Sequence, residues 1–330
     1  ARVAPFKGLR YNDEKISREN ILPDGRFFTD TETSFVGTTN SNQGSANLEF
    51  DIDKTTRITI QPNLSVNNTN STNAENTESR DEDGNLINQN NSLETTDGFR
   101  RNFSNRVELM KKLDTVGGYV RLYFNNNNSV NDSESFINSQ SSIFGDDPSE
   151  QELDQQTIID NSNDRYEVGA AYRQPLNKDL YLDFRYSYEN NEQKNERSVS
   201  NFDEVSGAYL YNSMLSSDFN FNTNKHAPEI RFGSNGKKFR FNVRARLEQI
   251  ALDNEDFIQS TTFSKDYSKV LLGSFFNYNV GSKRLSIRYN SRLNLPSVNQ
   301  LQPVPNVSNP LNIIEGNPNL GPEVNHSVYM

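Results

Sequence analysis

The feature that most constrains this chain is an alternation. In five places, apolar residues fall on every second position of two adjacent runs joined by a short turn. A period of two belongs to a strand with one apolar face, because successive side chains of a strand point to opposite sides. Ala46, Leu48, Phe50 and Ile52 alternate with Asn47, Glu49, Asp51 and Asp53; after Lys54-Thr55-Thr56 the pattern resumes at Ile58, Ile60, Leu64 and Val66. Phe103, Val107 and Leu109 turn through 111–118 into Val120, Leu122 and Phe124. Tyr166, Val168, Ala170 and Tyr172 turn through 174–179 into Leu180, Leu182, Phe184, Tyr186 and Tyr188. Ile230 and Phe232 lead to Phe239, Phe241, Val243, Ala245 and Leu247, and Phe276, Tyr278 and Val280 lead to Leu285, Ile287 and Tyr289. The pattern predicts five antiparallel hairpins and an all-β fold.

Long polar stretches separate these hairpins, at 67–98, 125–163, 191–221, 250–266 and 296–321, and the alternation rule reads them as loops. Short and long connections therefore alternate. A compact soluble domain seldom carries structureless loops beyond about 12–15 residues. Outer-membrane barrels have short periplasmic turns at one end and longer extracellular connections at the other. The apolar runs approach the roughly 9–11 residues that a tilted strand needs to cross the hydrocarbon layer. Strands can span lipid only in a closed barrel, where every backbone N–H and C=O is paired. The fold expected is thus a transmembrane antiparallel outer-membrane β-barrel.

Composition fits that distribution. Only 32% of residues are hydrophobic and the formal net charge is -10, too polar for a core closed on all sides but sufficient for one lipid-facing side per strand. No apolar stretch approaches the roughly 18 residues of a membrane helix. With no Cys the chain has no disulfide, thiolate metal site or Cys nucleophile, and a sequence pI near 4.9 offers no basic footprint for nucleic acid. His226 and His326 are far apart in sequence and are expected to be incidental rather than a metal pair. The acidic clusters 81–85 and 146–150 lack the spacing of a calcium loop, and Asn67-Asn68-Thr69 and Asn70-Ser71-Thr72 match glycosylation triplets expected by chance in so Asn-rich a chain. No nucleophile elbow, phosphate loop or metalloprotease motif occurs, so no enzyme activity, metal or cofactor is expected.

If the apolar residues face lipid, the intervening ones face a lumen. Arg240, Arg244 and Arg246 then point inward from one strand, and Arg284, Arg288 and Arg292 from another. Glu49, Asp51, Arg106, Glu108, Arg121, Asp183, Arg185 and Glu189 join them from earlier strands. Arg or Lys on the lipid face would cost roughly 2–4 kcal/mol near the midplane, which fixes the choice of face. These arginines suit either an anion path or ion pairs with lumenal carboxylates or a plug. Phe124, Tyr186, Tyr188, Phe276 and Tyr289 suit an interfacial aromatic girdle.

From Leu285 onward the chain resembles the barrel region of TonB-dependent outer-membrane receptors, especially the outer-membrane β-barrel proteins common in Bacteroidetes. The residues are 287–292, Pro296-Ser297, Gln300-Leu301, Asn309-Pro310, and above all Gly316, Asn317, Pro318, Asn319 and Leu320 followed by Pro322 and Glu323. Leu295 and Gly321 depart from that pattern, where Arg and Lys are usual, and leave the subfamily open. Pro318 and Pro322 exclude helix and Gly316 permits a tight turn, so the motif is expected to shape the barrel rather than to touch a ligand. The resemblance implies a larger closed barrel of about 22 strands with an N-terminal plug. Residues 1–330 would be part of that single barrel domain, supplying about 11–12 of its strands, with the plug and the last strands elsewhere. It further implies energised uptake of a bulky nutrient, with membrane lipid, TonB and a surface lipoprotein or other outer-membrane subunits as partners. Two other readings stay open: a non-transporting barrel subunit of an assembly, secretion or display complex, and a secreted β-rich adhesin.

Overall fold

The computed structural model describes residues 2–22, 25–145, 147–281, 283–301, 316–317 and 319–330. Fifteen strands form one antiparallel sheet: β1 (Arg2–Leu22), β2 (Gly25–Ser45), β3 (Leu48–Asp53), β4 (Thr56–Arg80), β5 (Leu86–Lys112), β6 (Tyr119–Ile143), β7 (Ser149–Pro175), β8 (Leu180–Asp203), β9 (Ala208–Tyr211), β10 (Ser217–His226), β11 (Glu229–Asn235), β12 (Phe239–Asp256), β13 (Thr261–Val280), β14 (Lys283–Asn294) and β15 (Glu323–Tyr329). Among the described residues these fifteen strands fill twelve positions, in the order β1-β2-β4-β5-β6-β7-β8-β10-β12-β13-β14-β15. β3 and β11 continue the lines of β2 and β10, and β9 adds to β8. A proline marks each break in a line. Pro62 accepts Ala46 N–H (3.0 Å) opposite the gap between β2 and β3, and Pro228 fills the gap between β10 and β11. Proline has no N–H to give a ladder, so pairing lapses beside it.

The polar stretches expected as loops are mostly strand. β4 runs 25 residues and β5 27, paired continuously and joined by a turn at 81–85. β6 and β7 likewise absorb most of 125–163, β8 and β10 much of 191–221, and β12 and β13 most of 250–266. Of 296–321, residues 302–315 and 318 lie outside the described residues. At about 3.3 Å per residue, a 25-residue strand is some 80 Å long, well over twice what the hydrocarbon layer needs. In β4 to β7 the surplus is largely wet on both faces, so it shows no sustained apolar alternation and reads as loop. Cross-strand pairs of short polar side chains line it instead, for example Thr31 with Thr77 (3.1 Å), Asn90 with Ser141 (2.7 Å) and Asn128 with Asp164 (2.7 Å). Such pairs each stabilise a sheet by a few tenths of a kcal/mol, roughly up to 1. β1 was invisible for the same reason.

At the 81–85 tip, the Asp81 carboxylate accepts from Asn85 N (2.7 Å), Asn85 Nδ2 (3.0 Å) and Asp83 N (3.0 Å), with Gly84 at a φ of 85°. The Asn85 side chain and backbone hold this carboxyl below the ordinary carboxylate range. A depressed pKa stabilises the tip above the unfolded-state value, and the benefit is lost as pH falls below that range. Asp81→Ala should speed protease cleavage at 81–85 at neutral pH while leaving cleavage elsewhere unchanged.

Two levels follow one another along the strands. From 180 to 188 in β8 and 239 to 247 in β12 the outward face is apolar and open, with Phe239 50% and Val243 55% exposed. Beyond Tyr188 and Leu247 the outward residues are polar, and apolar ones move to the opposite face. There Phe219, Phe221, Leu252 and Leu301 form a buried cluster with Phe263 and Tyr267 packed against it. Leu301 ends a single helical turn, Val298–Leu301, after β14, so this segment folds inward over β10, β12 and β13. At the lower level the same face buries a charge, Asp183, which is 1% exposed among the side chains of Arg173 and Arg185.

Candidate functional site: the charged inner face

Cross-strand register brings the site together. Asp183 in β8 lies opposite Arg173 in β7 and Arg231 in β11, and Arg231 lies opposite Arg244 in β12. One step along, Arg185 lies opposite Glu229, and Glu229 opposite Arg246. Directly opposed side chains share a face, so these seven residues form two adjoining charged rows across four strands.

Asp183 is held in a fork. Arg173 donates from Nε (2.6 Å) and Nη2 (2.9 Å) to its two oxygens, and Arg185 Nη2 approaches at 3.4 Å. The Arg173 guanidinium also lies over Tyr181 (3.8 Å) and Tyr119 (5.0 Å). A bidentate, ring-stacked guanidinium is fixed in orientation as well as position. Glu229 is the second node: Arg231 Nη2 donates to it at 2.9 Å, with Arg185 at 3.9 Å and Arg244 at 4.0 Å. Arg246 pairs with Glu248 (3.2 Å), and Glu189 takes Arg165 (2.6 Å) and Lys225 (3.1 Å).

Glycine makes room for these long side chains. A Cβ at Gly233 would stand 2.5 Å from Tyr181 Oη and 2.9 Å from the Phe241 carbonyl oxygen. Gly233→Ala must push Tyr181 off Arg173, and we expect it to destabilise the barrel by about 1–3 kcal/mol, read as an earlier thermal loss of the folded, slow-migrating band on a gel.

Of the arginines expected to face inward, Arg244 and Arg246 join the network. Arg240 lies opposite Asn277, Arg284 opposite Asn279, Arg288 opposite Phe275 and Arg292 opposite Asn325, on the same face as Arg244 by alternation. Among the described residues these four make no ion pair. Arg288 stacks on Phe275 (5.6 Å), and with its amide turned Asn277 accepts from Arg284 Nε at 2.8 Å. Arg173, Glu229, Arg231 and Lys225 went unnoticed in the sequence, although the Ile230 and Phe232 alternation already assigns 229 and 231 to this face.

Within the motif at 316–323, Pro318 lies outside the described residues, as do Asn309 and Pro310. Asn317 N–H donates to the Gln300 carbonyl (2.6 Å), its own side-chain oxygen accepts from Asn319 N (2.9 Å) and its carbonyl from Leu320 N (3.2 Å). Gly316 precedes this turn, Gly321 and Pro322 follow it, and Glu323 opens β15 opposite Asn294. His226 and His326 lie apart, each bonded through Nδ1 to a tyrosine, Tyr186 (2.7 Å) and Tyr289 (2.9 Å).

No curated protein has a matching sequence. Among solved structures, the sheet is similar to the unliganded crystal structure of the ferric citrate transporter FecA, with a TM-score of 0.39, 11% identity, and coverage of 88% of this chain and 44% of that one. It is also similar to the outer membrane protease OmpT from Escherichia coli, with a TM-score of 0.23, 9% identity, and coverage of 84% and 96%. The chain spans less than half the length of the transporter, and likeness at these scores carries no argument about function. The family model for outer membrane protein β-barrels matches residues 111–330. That is most of the sheet, including the charged face and the apolar band behind it, and the chain therefore belongs to the outer membrane protein β-barrel family and resides in the bacterial outer membrane.

Proposed function

We propose that this chain is wall for a TonB-dependent uptake barrel of the type found in Bacteroidetes, through which a bulky nutrient passes. The observation that carries this is the inner face: a row of fixed charges from β7 to β12, backed by lipid-facing apolar residues, with Arg240, Arg284, Arg288 and Arg292 beside it free of ion pairs among the described residues. A lumen lined this way can hold a plug or pass a polar solute. Lipid leaves no room for an unpaired strand edge, and at the level of the apolar band β3 pairs only with β4 and β15 only with β14 among the described residues; the proposal therefore places the closing strands, a plug and a TonB contact outside these residues. The reading assigns no catalytic step to these residues.

The test is a comparison of spent medium from cells with and without the protein. One class of solute too large for general porins should persist in the medium of deletant cells, and its uptake by wild-type cells should stop with a protonophore. No difference between the strains would favour the second reading, a non-transporting subunit of a surface complex. The strand extensions favour that reading, because they stand far enough outside the membrane to seat a lipoprotein or another subunit.

Orientation is separately testable. The chain has no Cys, so single cysteines report cleanly. A Cys at Asp83 should react with an impermeant maleimide on intact cells and one at Lys178 should not; the opposite result would invert the barrel.

A further inference from the structure

Five short turns join the apolar ends of the strands, and every one contains or directly adjoins lysine. Lys54 lies between β3 and β4, Lys111 and Lys112 at the end of β5, Lys178 between β7 and β8, Lys237 and Lys238 between β11 and β12, and Lys283 at the start of β14. All seven are exposed. Lys111 pairs with Asp53 (3.1 Å); the other six make no ion pair among the described residues.

Apart from Asp179, which adjoins Lys178, the carboxylates at this rim are occupied elsewhere. Asp53 also accepts from Thr55 N and Oγ1 (both 2.7 Å) and Thr56 Oγ1 (2.9 Å). Asp114 accepts from the backbone N–H groups of Val116, Gly117 and Gly118 (2.8–2.9 Å). Asp51 is forked by Arg57. The opposite ends of the strands carry a net negative charge: Asp81, Glu82 and Asp83 beside Arg80 and Arg26; Asp147 and Glu150; Asp203 and Glu204; Glu255 and Asp256, with no lysine among 80–86, 147–150, 203–208 or 255–261. Scattered surface charge does not sort this way.

The lysines also stand at one depth. Each turn adjoins the last residues of the apolar band: Phe50 and Ile52, Val120, Leu180, Phe239 stacked on Tyr278 (4.7 Å), and Leu285. An ammonium on a four-carbon stem beside such a band reaches the headgroup layer while its stem covers apolar surface. A compact soluble partner would meet one or two turns. A ring of cations repeated at five turns and following the edge of the band matches a planar anionic surface.

We propose that this lysine collar binds anionic phospholipid headgroups of the periplasmic leaflet and holds the barrel at a fixed depth. The proposal rests on the orientation given above. Basic residues near an anionic membrane each attract it measurably, and six act together. Full-length protein, extracted from the outer membrane and delipidated in detergent, should retain phosphatidylglycerol over phosphatidylcholine by about tenfold or more in native mass spectra. A variant with Lys54, Lys112, Lys178, Lys237, Lys238 and Lys283 all changed to Gln should retain the two lipids about equally while migrating as the same heat-modifiable folded band. The all-Arg version should recover the preference. If the six-fold variant does not fold, Lys237→Gln/Lys238→Gln/Lys283→Gln should lose roughly half of it. No preference in the native protein, an undiminished one in either Gln variant, or complete displacement of the lipid by inorganic phosphate would overturn the proposal. Surface labelling at Lys178 would instead overturn the orientation, leaving the measured lipid preference intact.

Discussion

Asp183→Ala should unfold this barrel more readily than any other single charge removal, lowering stability by about 3–5 kcal/mol. The carboxylate is 1% exposed and accepts from two guanidinium nitrogens of Arg173, Nε and Nη2, and from Nη2 of Arg185. Its loss leaves the Arg173 guanidinium without a carboxylate among the described residues, and Arg185 with only its distant contact to Glu229 (3.9 Å). Urea unfolding from detergent micelles would read the change as a midpoint lower by about 1 M or more. The control is the double replacement Arg173→Met with Asp183→Leu. Removing a buried pair together is often close to neutral, because two desolvation costs vanish with the attraction. A single mutant that loses less than about 1 kcal/mol would mean that water in the lumen already screens the pair.

Phe241→Arg should block assembly into the outer membrane, and Ile287→Arg should do the same. Phe241 packs on Phe232 across β11 and β12 (ring centroids 5.6 Å) on the lipid side, and a guanidinium there costs roughly 2–4 kcal/mol near the midplane. Arg244→Gln, three residues away on the other face, removes a distant contact to Glu229 (4.0 Å) and a long hydrogen bond to Asn290 (3.4 Å), and should leave the amount of folded barrel unchanged. Heat-modifiable gel mobility of outer-membrane fractions measures both. Equal tolerance of Phe241→Arg and Arg244→Gln would refute the assignment of faces.

The residues of these two experiments differ in how legible they were. Phe241 and Arg244 were assigned to opposite faces by alternation alone, since each is one of a run in which every second residue is apolar. Arg185 and Asp183 were placed together in the same way. Their partners were not: Arg173 stands past the end of an apolar run and Glu229 at the start of a short segment broken from β10 by Ala227-Pro228. Nor could spacing show that Phe221 and Leu252, inside stretches expected as loops, meet each other and Leu301 in a buried cluster.

What the sequence determined by itself was the membrane-crossing band. Lipid on one side and water on the other imposes a period of two on neighbouring residues, and neighbours are all a sequence displays. Only the tertiary structure decided the rest: that the polar stretches continue as strands far beyond the band, that their inner face turns apolar above it, and which charges meet across it. Where both faces of a strand are wet no period is imposed, and such a strand is specified by the register of its partners, as Asn128 is by Asp164 and Asn90 by Ser141.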